Sequence, residues 1–534
     1  MASLGGTGAR RRLPRHLLGR HWRAALRWPC VAAVGVAVAA SACLSAARAD
    51  EPVVFRAAFA ERDITPELGM EQPGGYGKAF HRTLHDPCKV RAAVFDDSQS
   101  RVALVSVDAL MVPRRLVQAA RQRIAQQCGI AADHVLIHAT HSHSSGPTGM
   151  VQPGEYDHAS ELVQKLAYER SSCADAKYLE HVENQVVAAV AAAQQSLAPA
   201  RAAVGIGHED QVAFNRRFRM RNGLTYTHPR QGNPDLVEPA GPIDPEVGVL
   251  GAWDPQGRLL GCIVNYACHA TTNPGGISAN YIYYVEQVLR GVFGPDVILV
   301  FLAGASGDVT QVDNRSPYAA RKPEDSARFV GGRIGAEAVK VLLQLEHGAG
   351  PLVPVAARVK VFDVPRRVPR PQRVARCLEI VQQDPRDVGA TEWTFAKEIV
   401  LLDAKLKKEP TAEVEVQAVQ VGPAVFLTDP AEFFCQLGLQ IKRGSPFRFT
   451  FPVSLANGCV GYVPTEEAFG PRGGGYETRL TSYSNLEITA GSKMVQAAIE
   501  LARQLTPGKV PEPPPAPPFR QNAWEYGSVP PELN

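Results

Sequence analysis

Three apolar, β-branched runs in this chain each break into a loop of small and polar residues. HVLIHAT at 134–140 opens into HSHSSGP, LLGCIVNYACHA at 259–270 into TTNPGG, and VILVFLAGAS at 297–306 into GDVTQ. Runs this apolar read as buried strands, and in α/β proteins the loops beyond strand carboxyl ends collect the chemistry. RAAVFDD with RVALVSVDAL, and VGVLGAW with LLGCIVNYACHA, have the turn residues of hairpins between them. Helical spacing predicts helices over 114–128, 175–197, 281–293, 326–345 and 490–505, the first ending at Gly129. VPRRVPRPQR at 364–373 interrupts the pattern and reads as a link between subdomains, after which VEVQAVQVG and AVFLTD resume the sheet. The expectation is an α/β (α+β) fold: a large mixed β-sheet core with surrounding helices, and a site at strand ends. No internal repeat is visible.

The charge balance matters only once it is divided. The chain of 534 residues has a formal net charge of +4, but residues 1–49 hold eight arginines and no acid. Beyond them stand 49 basic and 53 acidic residues, a net −4. Such a body has no electrostatic footprint for nucleic acid, and nothing interleaves aromatic with basic residues along a single-strand path. The arginine-rich start is followed by an uncharged run from Trp28 to Ala47, then Ala47-Arg48-Ala49 before Asp50. That order reads as a cleaved signal peptide at 1–49 and an exported protein, periplasmic or secreted; an uncleaved membrane anchor is the alternative. No later segment is long and apolar enough to span a membrane. Eight cysteines follow the leader, an even number that permits disulfides in an exported chain, though none has C-x-x-C spacing. Residues 50–506 read as the working domain, and 507–534, opening with PGKVPEPPPAPP, as a Pro-rich tail that cannot form a core.

His138, His141 and His143 fall within six residues, and His269 closes the second apolar run. The i, i+2 spacing of His141 and His143 puts both imidazoles on one face of an extended segment. Two imidazoles at a strand end can grip one metal, or one can bind while the other stands beside it. The plain alternative is a set of hydrogen-bonded loop histidines. A two-imidazole site also needs an anionic ligand, and the chain has too many carboxylates to choose among by chemistry alone.

HATHSHSSGP, NYACHATTNPGG, GASGDVTQ, TDPAEFFCQLG and NGCVGYVPTEEAF occur in this order. Together they resemble the zinc-dependent neutral/alkaline (non-lysosomal) ceramidase family, from AERDITPELGMEQPGGYG to near residue 505. The resemblance implies a Zn2+ ion held by His141, His269, Glu432 and Tyr462. It implies that His143 lies beside the metal as proton acceptor, and that Asn215 and Arg216 lie near the substrate. The family's G-D-V-S-P-N run is here Gly307-Asp308-Val309-Thr310-Gln311-Val312, so Asp308 and Thr310 take the catalytic positions of that loop. The Pro-rich tail stands where the family has a β-sandwich domain.

The activity so implied is zinc-dependent hydrolysis of an N-acyl amide, in a ceramide-like lipid or a smaller N-acyl compound. An esterase or lactonase on the same site is one alternative, and a non-catalytic lipid- or glycan-binding relative is another. The altered loop and the tail set the further expectation that a smaller N-acyl substrate is cleaved at least as well as long-chain ceramide.

Overall fold

Three times along the chain the same order of elements recurs: three antiparallel strands, a helix, a fourth strand parallel to the third, and a second helix. The computed structural model describes residues 54–515, 518, 525–527 and 529–534; the predicted leader at 1–49 lies outside the described residues. In the first unit the strands are Arg56–Asp63, Lys89–Asp96, Arg101–Val107 and Val135–Ala139, with helices Arg114–Cys128 and Ala176–Gln195. In the second they are Arg201–His208, Glu246–Trp253, Leu259–Tyr266 and Ile298–Ala303, with helices Tyr281–Phe293 and Pro323–Leu345. In the third they are Val355–Pro365, Thr411–Val421, Ala424–Thr428 and Phe449–Val453, with helices Cys435–Gly444 and Ala490–Arg503. The expected mixed-sheet core with surrounding helices is present, distributed over three sheets.

The period of two along each strand explains how the sheets assemble. In the first sheet Phe95, Val102, Leu104 and Leu136 point one way and join Val204, Leu250 and Ile263 of the second sheet and Val419, Phe426 and Phe451 of the third. The alternate residues Val94, Ala103, Val105 and Val135 point outward onto the first sheet's own two helices. The second and third sheets divide their residues in the same manner. Both faces of each sheet are therefore apolar, which is why strands such as Val135–Ala139 and Ile298–Ala303 read as unbroken hydrophobic runs. Helix Arg114–Cys128 buries Leu116, Val117, Ala120 and Ile124 as one stripe. It stops at Gly129, whose φ of 65° is the left-handed conformation of a helix end and whose N–H reaches the Ala125 carbonyl.

The third and fourth strands of every unit run parallel: Ala103 pairs with Val135, Gly261 with Ile298, and Ala424 with Phe449. A parallel pair sends two chain segments out of the same sheet edge, so each unit contributes two adjacent loops to one end of the molecule. The Pro-rich interruption at 364–373 leads into helices Pro371–Ile380 and Ala390–Leu406, which pack with Glu161–Tyr168 into a separate apolar cluster. Among the described residues no helix is long and apolar enough to cross a membrane. The eight cysteines beyond the leader are unpaired.

Candidate functional site

Each unit delivers one polar group to a common point. In the first, strand Val135–Ala139 runs into His141, whose φ of 64° turns its ring inward. His141 Nδ1 lies 2.8 Å from the Leu110 carbonyl, in the loop after the neighbouring parallel strand. In the second, His269 follows Leu259–Tyr266, and its Nδ1 lies 2.8 Å from the Ser306 carbonyl, again in the loop of the parallel neighbour. In the third, Glu432 follows Ala424–Thr428 and pairs with Tyr462 across a two-residue parallel ladder. Asn457, at a φ of 62°, locks that last loop to the first unit by accepting the Ile137 N–H at 3.0 Å.

A carbonyl oxygen only accepts, so the Nδ1 atoms of His141 and His269 hold the protons and their Nε2 atoms present lone pairs. Those two Nε2 atoms lie 3.1 Å apart. Glu432 Oε2 stands 3.0 Å from His269 Nε2 and 3.3 Å from His141 Nε2. It is buried and has no hydrogen-bond donor. Three lone-pair-bearing atoms facing one another in a buried space repel unless a cation lies among them. His143 Nε2 joins the cluster, 3.1 Å from His141 Nε2. The set of imidazole nitrogens and one carboxylate suits a borderline divalent ion such as zinc.

The protonation states agree with that role. Burial, with help from the Arg216 charge, pushes His269 down to about 4. Burial also holds His143 well below the usual histidine range, with His141 and His269 adding to it. Both shifts keep His269 and His143 in the neutral form, the form of imidazole that binds a metal.

No family model matches the chain. The neutral ceramidase of Pseudomonas aeruginosa is 24% identical over 523 aligned residues, covering 86% of this chain and 74% of that protein. The chain resembles that neutral ceramidase over most of its length. A crystal structure of neutral ceramidase from Pseudomonas aeruginosa superposes at a TM-score of 0.62, with 19% identity over 86% of this chain and 76% of the other. A ceramidase in complex with C2 superposes equally, at 0.62 and 19% identity, over 87% and 78%. These likenesses carry the fold.

In this ceramidase relative the remaining predicted residues separate into two layers. Tyr462 lies against the cluster through its pairing with Glu432, and its hydroxyl accepts from Arg216 Nη2 at 3.1 Å. Arg216 also donates to the Gly307 carbonyl and to Glu477, each at 2.8 Å. Asn215 and Asp308 bond to each other. Asn215 Nδ2 donates to Asp308 Oδ2 at 2.8 Å and to the Pro242 carbonyl at 3.1 Å, while its Oδ1 accepts the Arg217 N–H. Asp308 Oδ1 accepts the N–H of Cys435, the first residue of helix Cys435–Gly444. Thr310 is buried, paired with Phe214, and accepts the Val312 N–H at 3.3 Å. His138 stands apart from the cluster: its Nδ1 donates to the Ser454 carbonyl and its Nε2 accepts the Ala303 N–H.

Two further residues support the cluster. Tyr483 donates its hydroxyl to Glu432 Oε1 at 2.8 Å, the oxygen that does not face the imidazoles. Gly74 has a φ of 105°, and a Cβ there would come within 2.3 Å of His143 Nδ1. The PGGYG run containing Gly74 was a visible signal; a lone Tyr483 in a serine-rich loop was not.

Proposed function

We propose that this chain is a zinc-dependent amidohydrolase that cleaves an N-acyl bond in a ceramide-like lipid or a smaller N-acyl compound. The observation that carries the reading is the convergence of His141 Nε2, His269 Nε2 and the unpartnered Glu432 Oε2. Those three side chains, completed by Tyr462, would hold the ion. Zinc, when bound, supplies Lewis acidity that polarises an amide carbonyl and makes water acidic.

The chain's own residues do the rest. His143, kept neutral by burial, takes the proton of the attacking water and returns it to the leaving amine. Arg216 fixes the Tyr462 oxygen in place by donating to it. Asp308 and Asn215 hold the 307–310 loop and the Asn215–Arg216 segment together, so that Arg216 keeps its place. The leader sequence supports export to the periplasm or the medium.

Metal analysis together with a panel of matched N-acyl and O-acyl substrates tests the proposal. The expected result is one zinc per chain and amide hydrolysis that disappears on chelation and returns with zinc. Ester cleavage alone would replace the amidase with an esterase, and no turnover with any substrate would leave a binding protein. Long-chain ceramide beside shorter analogues in the same panel measures the acyl-length expectation.

A further inference from the structure

Beside the cluster lies an open cavity of about 650 Å3 with Tyr226, His228, Arg230, Phe395, Tyr476 and Arg479 in its walls. Two of its lining residues touch residues of the site. The Tyr476 ring packs edge-on to Tyr462 at 5.4 Å, and the backbone N–H of His228 donates to the Arg216 carbonyl at 2.8 Å. Tyr76 closes the far side, 5.7 Å from Phe395 and 6.2 Å from Tyr476.

The charges in this wall are unequal. Outside the lining, Arg216 and Arg217 are both matched by Glu477, and Arg219 by Glu238 and Glu467. Arg230 and Arg479 line the cavity itself, and among the described residues neither has a carboxylate within ion-pair distance. No Asp or Glu lines the cavity at all. Arg479 is held in a defined place, its guanidinium 3.3 Å above the centre of the Phe395 ring. Beyond the walls, Glu392 and Arg373 act on it with opposite signs. Both arginines are solvent-exposed, and with no acid in the lining their guanidiniums offer an entering anion two positive partners. An uncharged amide-alcohol would give them nothing to pair with.

We propose that the substrate of this site carries an anionic group, a carboxylate or sulfonate, which Arg230 and Arg479 hold in the cavity beside Tyr476 while its N-acyl bond lies at the His141–His269–Glu432 cluster. This inference rests on the amidohydrolase reading and deepens it. The anion can lie on the amine side of the scissile bond, as in an N-acylglycine or N-acyltaurine, or on the acyl side, as in a glutaryl amide.

The test compares kcat/KM for N-acylglycine and N-acyltaurine with the N-acylethanolamine of equal chain length, and for a glutaryl amide with the pentanoyl amide. The expected result is a preference of ~10-fold or more for at least one anionic member, declining as salt is added. Arg230→Gln and Arg479→Gln should each cut that preference, and the double variant should bring it within ~2-fold of parity with neutral-substrate turnover retained. Arg479→Lys keeps the charge and guards against loss of packing on Phe395. Neutral members turned over as well as anionic ones, or a preference that survives the double variant, would overturn the inference. If no substrate is turned over, the amidohydrolase reading fails, and calorimetry with the same compounds then decides the anion site separately. Arginine-dependent binding of the anionic members supports it; equal binding of neutral and anionic members overturns it.

Discussion

His141 and His269 face each other with Nε2 atoms 3.1 Å apart, and each has its proton on the opposite nitrogen, fixed by a carbonyl from a neighbouring loop. Neither ring can hydrogen-bond the other in that state. A cation between them relieves the facing lone pairs, which is the simplest physical reason to expect a metal at this point.

His141→Ala and His269→Ala should each abolish both metal and activity while the chain stays folded. His143→Ala separates two roles for the third imidazole. As a proton carrier its loss leaves zinc at the wild-type level and removes turnover, by ~10²-fold or more. Elemental analysis of the purified variants decides between them; zinc lost from His143→Ala as fully as from His141→Ala would make it a ligand instead.

Tyr483 acts through Glu432. Removing its hydroxyl frees the carboxylate to turn, so Tyr483→Phe should weaken zinc binding by ~10-fold or more, as other partners of metal ligands do. Competition against a chelator measures this, and unchanged affinity in the variant counts against a positioning role.

Asp308 and Thr310 should part company. Asp308→Ala leaves the Cys435 N–H and the Asn215 amide without their acceptor in a buried site, at a cost of about 2–4 kcal/mol. Thr310→Ala removes one weakly engaged hydroxyl, so stability should hold while activity falls by ~10²-fold, as for loss of one transition-state hydrogen bond. Denaturant melts of both variants, alongside rates, check the division. An Asp308→Ala protein as stable as wild type would falsify the framework role.

His138 predicts a pH dependence. Burial pushes it from its usual 6.5 down to about 3, with both nitrogens already bonded in the neutral form. Below pH 6.5 the unfolded chain therefore binds a proton that the folded chain refuses. Stability falls as pH drops from 6.5 toward 3, by at most ~1.4 kcal/mol per pH unit from this residue. His138→Gln should be less stable at pH 7 but show a shallower decline in acid. Parallel curves for the two proteins, from denaturant titrations at pH 7, 5.5 and 4.5, would remove His138 as the cause.

Local pattern determined the elements and the loops. The unbroken runs HVLIHAT and VILVFLAGAS had to be strands covered on both faces, and a stripe such as Leu116, Val117, Ala120 and Ile124 had to be a helix ending at Gly129. Resemblance, carried by five short motifs, picked out Tyr462 together with His141, His269 and Glu432, and the folded chain brings the last three within 3.3 Å of one another. What pattern could not express is pairing at a distance. The three units share topology and no visible repeat, because a strand order is fixed by which backbones meet and many apolar sequences satisfy it. The same limit hid Tyr483 and the carbonyls of Leu110 and Ser306, since a backbone oxygen has no residue signature. It also hid how Asp308 and Asn215 are held: only the folded chain shows their hydrogen bonds to each other, to Pro242 and to the start of a helix. Sequence settles which atoms are available; the tertiary fold settles which of them are left without a partner, and at this site those are the lone pairs of two imidazoles and one carboxylate.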